Sequence, residues 1–241
     1  MKEQPPPSAT DQQEIVRRSE AILAERPGDD AAHEARARAL VALGRLEEAE
    51  ADAMDAVRLD PDEIRYRELL AEIQSRRGEH ADAAAEYARL ARRDPRQVAW
   101  TVAEAAERIE AADPEKGVEA ARRAVRLDPG NFDAQLALAR GLIRTGDPAA
   151  LPAATRASDL RPGDAGAREA VADALWLAGR EAAAFDELTR LALELTGGDR
   201  VRILAKARPL YRQRAGWLGR RLASAPSLFA FALRRGWLRV A

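Results

Sequence analysis

An all-α solenoid of stacked helical hairpins is the fold class this sequence predicts, and three ladders of residues at one period predict it. Pro27, Pro61, Pro95, Pro129 and Pro162 follow one another at intervals of 34, 34, 34 and 33 residues. Gly44, Gly78, Gly146 and Gly179 keep the same step, with Ala112 in the one slot that lacks glycine. Ala49, Ala83, Gly117, Ala150 and Ala184 form a third ladder of small residues. Self-similarity at this period marks a stack of units, each covering the apolar face of the next.

One unit reads as helix, short turn, helix, stop. Proline just past a helix end cannot continue it, and glycine gives a tight turn its backbone freedom. Ala37, Ala71, Ala105, Ala139 and Ala172 on the first helices face the third ladder, so small side chains on both sides let the two helices approach closely. Ala49, Ala53 and Ala56 lie three and four apart and share one helical face.

In chain order, Met1–Thr10 carries three consecutive prolines and no apolar run, which predicts a disordered lead. Asp11 is the expected N-cap of a helix reaching about Arg26, with Ile15, Ala21 and Ile22 inward. It has the form of the second half of an incomplete unit. Five units follow, with helices expected at 31–43 and 47–59, 63–77 and 81–93, 97–111 and 115–127, 132–145 and 148–160, and 165–178 and 181–195. In the third unit Val102, Ala105, Ala106 and Ile109 carry the apolar pattern one residue late. Thr196, Gly197 and Gly198 replace the expected proline and end the array, giving a repeat domain at 11–199 and a basic amphipathic segment at 200–241. Within that segment Ile203, Leu204, Ala207, Leu210 and Tyr211 share one helical face, and Pro209 predicts a kink or a restart.

The stretch GRLEEAEADAMDAVRLDP at 44–61, echoed by RRAVRLDPGN at 122–131, resembles the second half of a tetratricopeptide repeat. The resemblance covers five units, about residues 30–198, and implies a right-handed α-solenoid of antiparallel helix pairs with a helix before it and a helical cap after it. The sequence departs from the family at the slot opening each first helix. No aromatic stands there, but His33, Arg67, Thr101, Gln135 and Arg168, and Arg36 occupies a position where the family prefers leucine.

Composition excludes several classes of function. There is no cysteine, hence no disulfide, thiolate metal site or thiol catalysis. No phosphate loop, dinucleotide fingerprint, His-Glu-x-x-His or Gly-x-Ser-x-Gly motif occurs, and His33 and His80 stand apart and read as solvated. The expectation is a non-catalytic protein with no cofactor, no metal and no small-molecule substrate. Net charge of −1 conceals a division, because residues 1–199 hold 28 basic against 40 acidic residues while 200–241 hold 11 basic residues and no acid. Asymmetry of this kind is a partner signal.

The family resemblance implies a concave groove lined by first helices that receives a peptide or helix of a protein partner. Carried over unit by unit, it implies groove residues Glu34, Arg38, Glu68, Glu72, Arg76, Leu136, Arg140, Ile143, Arg144, Glu169, Asp173 and Trp176. A scaffold or adaptor is the function this implies. Glu34, Arg38, Glu68 and Glu72 stand where chaperone-tail binders of the family use Lys and Asn, which disfavours that partner. A different class of function rests on the basic segment, where Arg212, Trp217, Arg220, Arg221, Phe229, Phe231, Arg234, Arg235 and Trp237 suit contact with an anionic membrane surface or a partner. A peptide-sensing regulator is a third reading. Nucleic acid is disfavoured because no recognition motif accompanies the cations, and the default location is cytoplasmic, with peripheral membrane contact in the second reading.

Overall fold

A computed structural model describes residues 8–214, with side chains through Pro209. These residues form twelve α-helices: α1 (Ala9–Glu25), α2 (Asp30–Ala42), α3 (Leu46–Leu59), α4 (Ile64–Arg77), α5 (His80–Arg93), α6 (Val98–Glu110), α7 (Pro114–Leu127), α8 (Phe132–Thr145), α9 (Ala150–Leu160), α10 (Ala165–Leu177), α11 (Glu181–Glu194) and α12 (Gly197–Arg214). Among the described residues there is no strand, and the fold is all-α. The chain divides inside α7, between Ala120 and Ala121, into two compact units. In the first, neighbours in sequence pack in turn from α1 to α6, and the first helices α2 and α4 also touch. In the second, α8 to α12 pack in the same way, with α8 against α10.

The ladders explain this packing. Ala37, Ala71, Ala105, Ala139 and Ala172 on the first helices, and Ala49, Ala83, Ala150 and Ala184 on the second, have 0–1% of their surface exposed. Ala105 keeps its place in that row, so the third unit is in register with the others despite its late apolar pattern. At Gly117 an added Cβ would lie 2.6 Å from Ile109 and 3.2 Å from the Ala105 carbonyl oxygen, which is why the third ladder shrinks to glycine there. The turn ladder is a conformational one: Gly44, Gly78, Gly146 and Gly179 have φ of 70° to 80°, and Ala112 adopts the same left-handed region at 58°.

The closing Asp-Pro motif has a local cause. The carboxylates of Asp60, Asp94 and Asp128 each accept the N–H two residues on, past the proline, at 3.0 Å. Asp29, Asn131 and Asp164 then cap the next first helices, at 2.9, 2.9 and 2.8 Å.

Several expectations require correction. Ser8, not Asp11, caps α1, and Asp11 closes the box as its third helical residue, donors and acceptors exchanging at 2.8 and 3.2 Å. The inward face of α1 is Val16, Ser19 and Leu23, one residue along from the expected one, and Ile15 is 38% exposed. Helix α11 ends at Glu194 and α12 opens at Gly197, and α12 runs through Pro209, where a kink or restart is expected, to Arg214. Ile203, Leu204 and Ala207 of α12 are buried in one cluster with Leu175, Phe185, Leu188 and Leu191. The N-terminal lead at 1–7 lies outside the described residues.

Candidate functional site

The slot that opens each first helix is where this chain departs most from an apolar repeat. His33 is buried, with Nδ1 2.9 Å from Asp52 of α3 and Nε2 3.2 Å from the Pro27 carbonyl oxygen. Arg67 donates to Glu86 of α5 at 2.6 Å and to the Pro61 carbonyl at 3.3 Å. Arg168 donates to Glu187 of α11 at 2.7 Å. Gln135 donates to the Pro129 carbonyl at 3.1 Å. His33, Arg67 and Arg168 each meet an acid 19 residues later, and three of the slot residues reach the proline carbonyl six residues earlier. Where the slot is neutral, at Thr101 and Gln135, the facing positions are Ala120 and, after a turn one residue shorter, Ala153. Arg36, at the leucine position, joins the first pair with two 2.6 Å bonds to Asp52. These polar pairs hold first helix to second, and each is committed inside its unit. His80, read as solvated, is half-buried with Nδ1 2.8 Å from Glu107 of α6.

On the first-helix faces of the first unit, the acids are also engaged. Glu34 accepts from Arg38 at 3.0 Å and lies 3.5 Å from Arg65. Glu68 accepts the Trp100 indole N–H at 2.6 Å. Glu72 pairs with Arg76 at 2.7 Å. Burial, with Glu107, Glu72 and Glu68 nearby, raises the Tyr87 hydroxyl above its ordinary value. This face is acidic, but its carboxylates are partnered within the unit.

The second unit differs. Leu136 is buried, and both it and Arg140 of α8 lean over Gly166 of α10, where an added Cβ would stand 3.1 Å from the Arg140 guanidinium. Arg140 is exposed and makes no hydrogen bond or ion pair with the described residues. Ile143 is half-buried beside it and Arg144 exposed. On α10, Glu169 accepts from Arg202 at 2.6 Å and from Lys206 at 2.9 Å, and Asp173 accepts from Lys206 at 2.6 Å. Two expected groove carboxylates are thus taken by α12. Trp176, one turn further along α10, stays 53% exposed.

Electrostatics at this junction divide by burial. Burial works to raise Glu169, but hydrogen bonds from Arg202 and Lys206 outweigh it and the carboxyl sits below its ordinary value. Burial dominates at Asp173, which is raised in spite of Lys206. Burial works to lower Lys206, and its bonds to Asp173 and Glu169 reverse the sign. Of the basic-segment residues, Arg212 lies in α12 with no described side chain, and Trp217, Arg220, Arg221, Phe229, Phe231, Arg234, Arg235 and Trp237 lie outside the described residues. No helix among the described residues is long and apolar enough to cross a membrane.

Sequence reasoning missed the slot pairs and the anchoring of α12. The first was signalled by an acid 19 residues after each of His33, Arg67 and Arg168. The second was signalled by cations at 202 and 206, each 33 residues after an acid at 169 and 173.

Comparison with known proteins agrees with this geometry. Residues 31–63 match the family model of the tetratricopeptide repeat. No curated protein is significantly similar in sequence. Among solved structures, a tetratricopeptide repeat protein from Parabacteroides merdae aligns over 95% of this chain and 91% of its own, at 16% identity and a TM-score of 0.71. YrrB, described as a tetratricopeptide repeat protein with an unusual peptide-binding site, aligns over 73% and 91%, at 16% identity and 0.57. Yeast Tom70 aligns over 89% of this chain but 45% of its own, at 17% identity and 0.58.

Proposed function

From a fold of tetratricopeptide type, with a matched repeat at residues 31–63, we propose that this protein is a non-catalytic interaction scaffold that binds a peptide or helix of a protein partner on the first helices of its second unit. The observation that carries the reading is the coexistence of exposed Trp176 with Arg140, which has no partner among the described residues, on the packed pair α8 and α10, where Glu169 and Asp173 are already taken by Lys206. Tryptophan and arginine are among the residue types that most often dominate binding energy at interfaces. The peptide-binding site in the description of YrrB supports the same use of the fold.

The test compares three baits in native lysate: the wild-type chain, Trp176→Ala with Arg140→Glu, and Met54→Ala as an exposed control on α3. All three should show equal helicity. The reading expects a protein partner retained by wild type and control and lost from the double variant. Retention of every partner by the double variant would contradict it. The described part of the basic segment is docked on α10, so it gives a membrane anchor no support of its own.

A further inference from the structure

The two terminal helices are complementary halves of one repeat. Ile15, Arg18 and Ile22 of α1 stand 34 residues before Ala49, Asp52 and Ala56, the second-helix positions that face the first helix of their own unit. In α3 all three are buried. In α1, Ile15 and Arg18 are exposed and Ile22 is half-buried, because among the described residues no first helix stands against them. The residues of α1 that are buried, Val16, Ser19 and Leu23, face the next unit instead.

Helix α12 shows the converse. Val201 and Ala205 stand 33 residues after Arg168 and Ala172, the first-helix slots that face their own second helix. Ala172 and its four equivalents are buried, whereas Ala205 is exposed and Val201 is 67% exposed. Ile203 and Ala207, on the face toward the preceding unit, are fully buried. Among the described residues, α12 is therefore a first helix without its second helix, and α1 a second helix without its first.

We infer that α12 of one chain pairs with α1 of a second copy, completing a helix pair between molecules in a head-to-tail association. Charge favours that occupant. Helix α1 carries four acids and two bases, and α12 six bases and one acid. The same sense runs through the chain, with 28 acids against 18 bases in residues 1–120 and 12 against 21 in 121–241. Opposite fields at the two ends steer unlike ends together and like ends apart, an effect that weakens with salt. The contact is heterologous, since different surfaces meet, and so the assembly retains one free end of each kind unless it closes.

The absence of cysteine permits a direct test. Single-cysteine chains Ile15→Cys and Ala205→Cys, mixed and mildly oxidised, should give the mixed disulfide dimer at least tenfold over either homodimer. In sedimentation velocity, wild type should associate with rising concentration and less so at high salt. Ile15→Glu and Ala205→Arg, both at exposed sites, should keep full helicity and each weaken self-association at least tenfold. Mixed one to one they should form a dimer and nothing larger, because each retains one working end. A wild type that stays monomeric, or homodimers that match the mixed dimer, would overturn the inference. So would an Ala205→Cys thiol that resists alkylation in the monomer, since residues 215–241 of the same chain would then cover α12.

Discussion

The Arg67 guanidinium donates to the Glu86 carboxylate at 2.6 Å, joining α4 to α5 across a separation of 19 residues. The pair is mostly buried, and without Arg67 the Glu86 carboxylate would keep its desolvation cost with only Arg89 of its own helix as a partner. Arg67→Ala should therefore cost about 1–3 kcal/mol in chemical denaturation. Arg67→Thr with Glu86→Ala copies the neutral arrangement at Thr101 and Ala120 and should recover most of the loss. A double variant as unstable as the single would show that the pair is not interchangeable with the neutral slot.

Ala112 occupies a left-handed turn at φ 58° that glycine holds in four other units. An L side chain costs about 1–2 kcal/mol in that region, against about 0.5–1 kcal/mol of extra chain entropy for glycine. Ala112→Gly should stabilise the protein by about 1 kcal/mol, read as a raised denaturant midpoint with an unchanged slope.

Docking of α12 on α10 should depend on pH at both extremes. Glu169 is lowered from its ordinary 4.5, so its contribution is complete above that value and is lost as pH falls through the lowered one. Lys206 is raised from 10.5, so its contribution is complete below that value and is lost as pH rises through the raised one. Asp173 is raised from 3.8, so its share is present below 3.8 and lost as pH rises through the raised value. At neutral pH Glu169 and Lys206 favour docking and Asp173 opposes it. Protection of the α12 amides, taken relative to their intrinsic exchange at each pH, should be greatest near neutrality, and Glu169→Gln should reduce it more than Asp173→Asn. The reverse order would place the main anchor at Asp173.

Much of the fold was legible because each ladder has a steric cause: proline stops, positive-φ turns and small residues at the closest helix approach. Boundaries of the ten repeat helices fell within two residues of expectation for the same reason. The terminal helices were less legible. Apolar residues on α1 mark two faces, Ile15 with Ile22 and Val16 with Leu23, and only the neighbouring helices decide which is covered. At the candidate site, spacing placed Glu169 and Asp173 on the first-helix face but could not show that Arg202 and Lys206 of the same chain claim them. Among the described residues Trp176 is left open to solvent and Arg140 without a partner through tertiary packing that no single helix pattern encodes.

The most direct measurement of the scaffold reading is photo-crosslinking from the chain's own surface. A benzophenone side chain would replace Trp176 in one protein and Met54, 55% exposed on α3, in another. Both would be irradiated in native lysate, and the captured proteins compared. The account predicts a specific adduct from position 176 that Arg140→Glu abolishes, with none of it from position 54. The same adduct from position 54, or one from position 176 that Arg140→Glu leaves untouched, would contradict a binding face on α8 and α10.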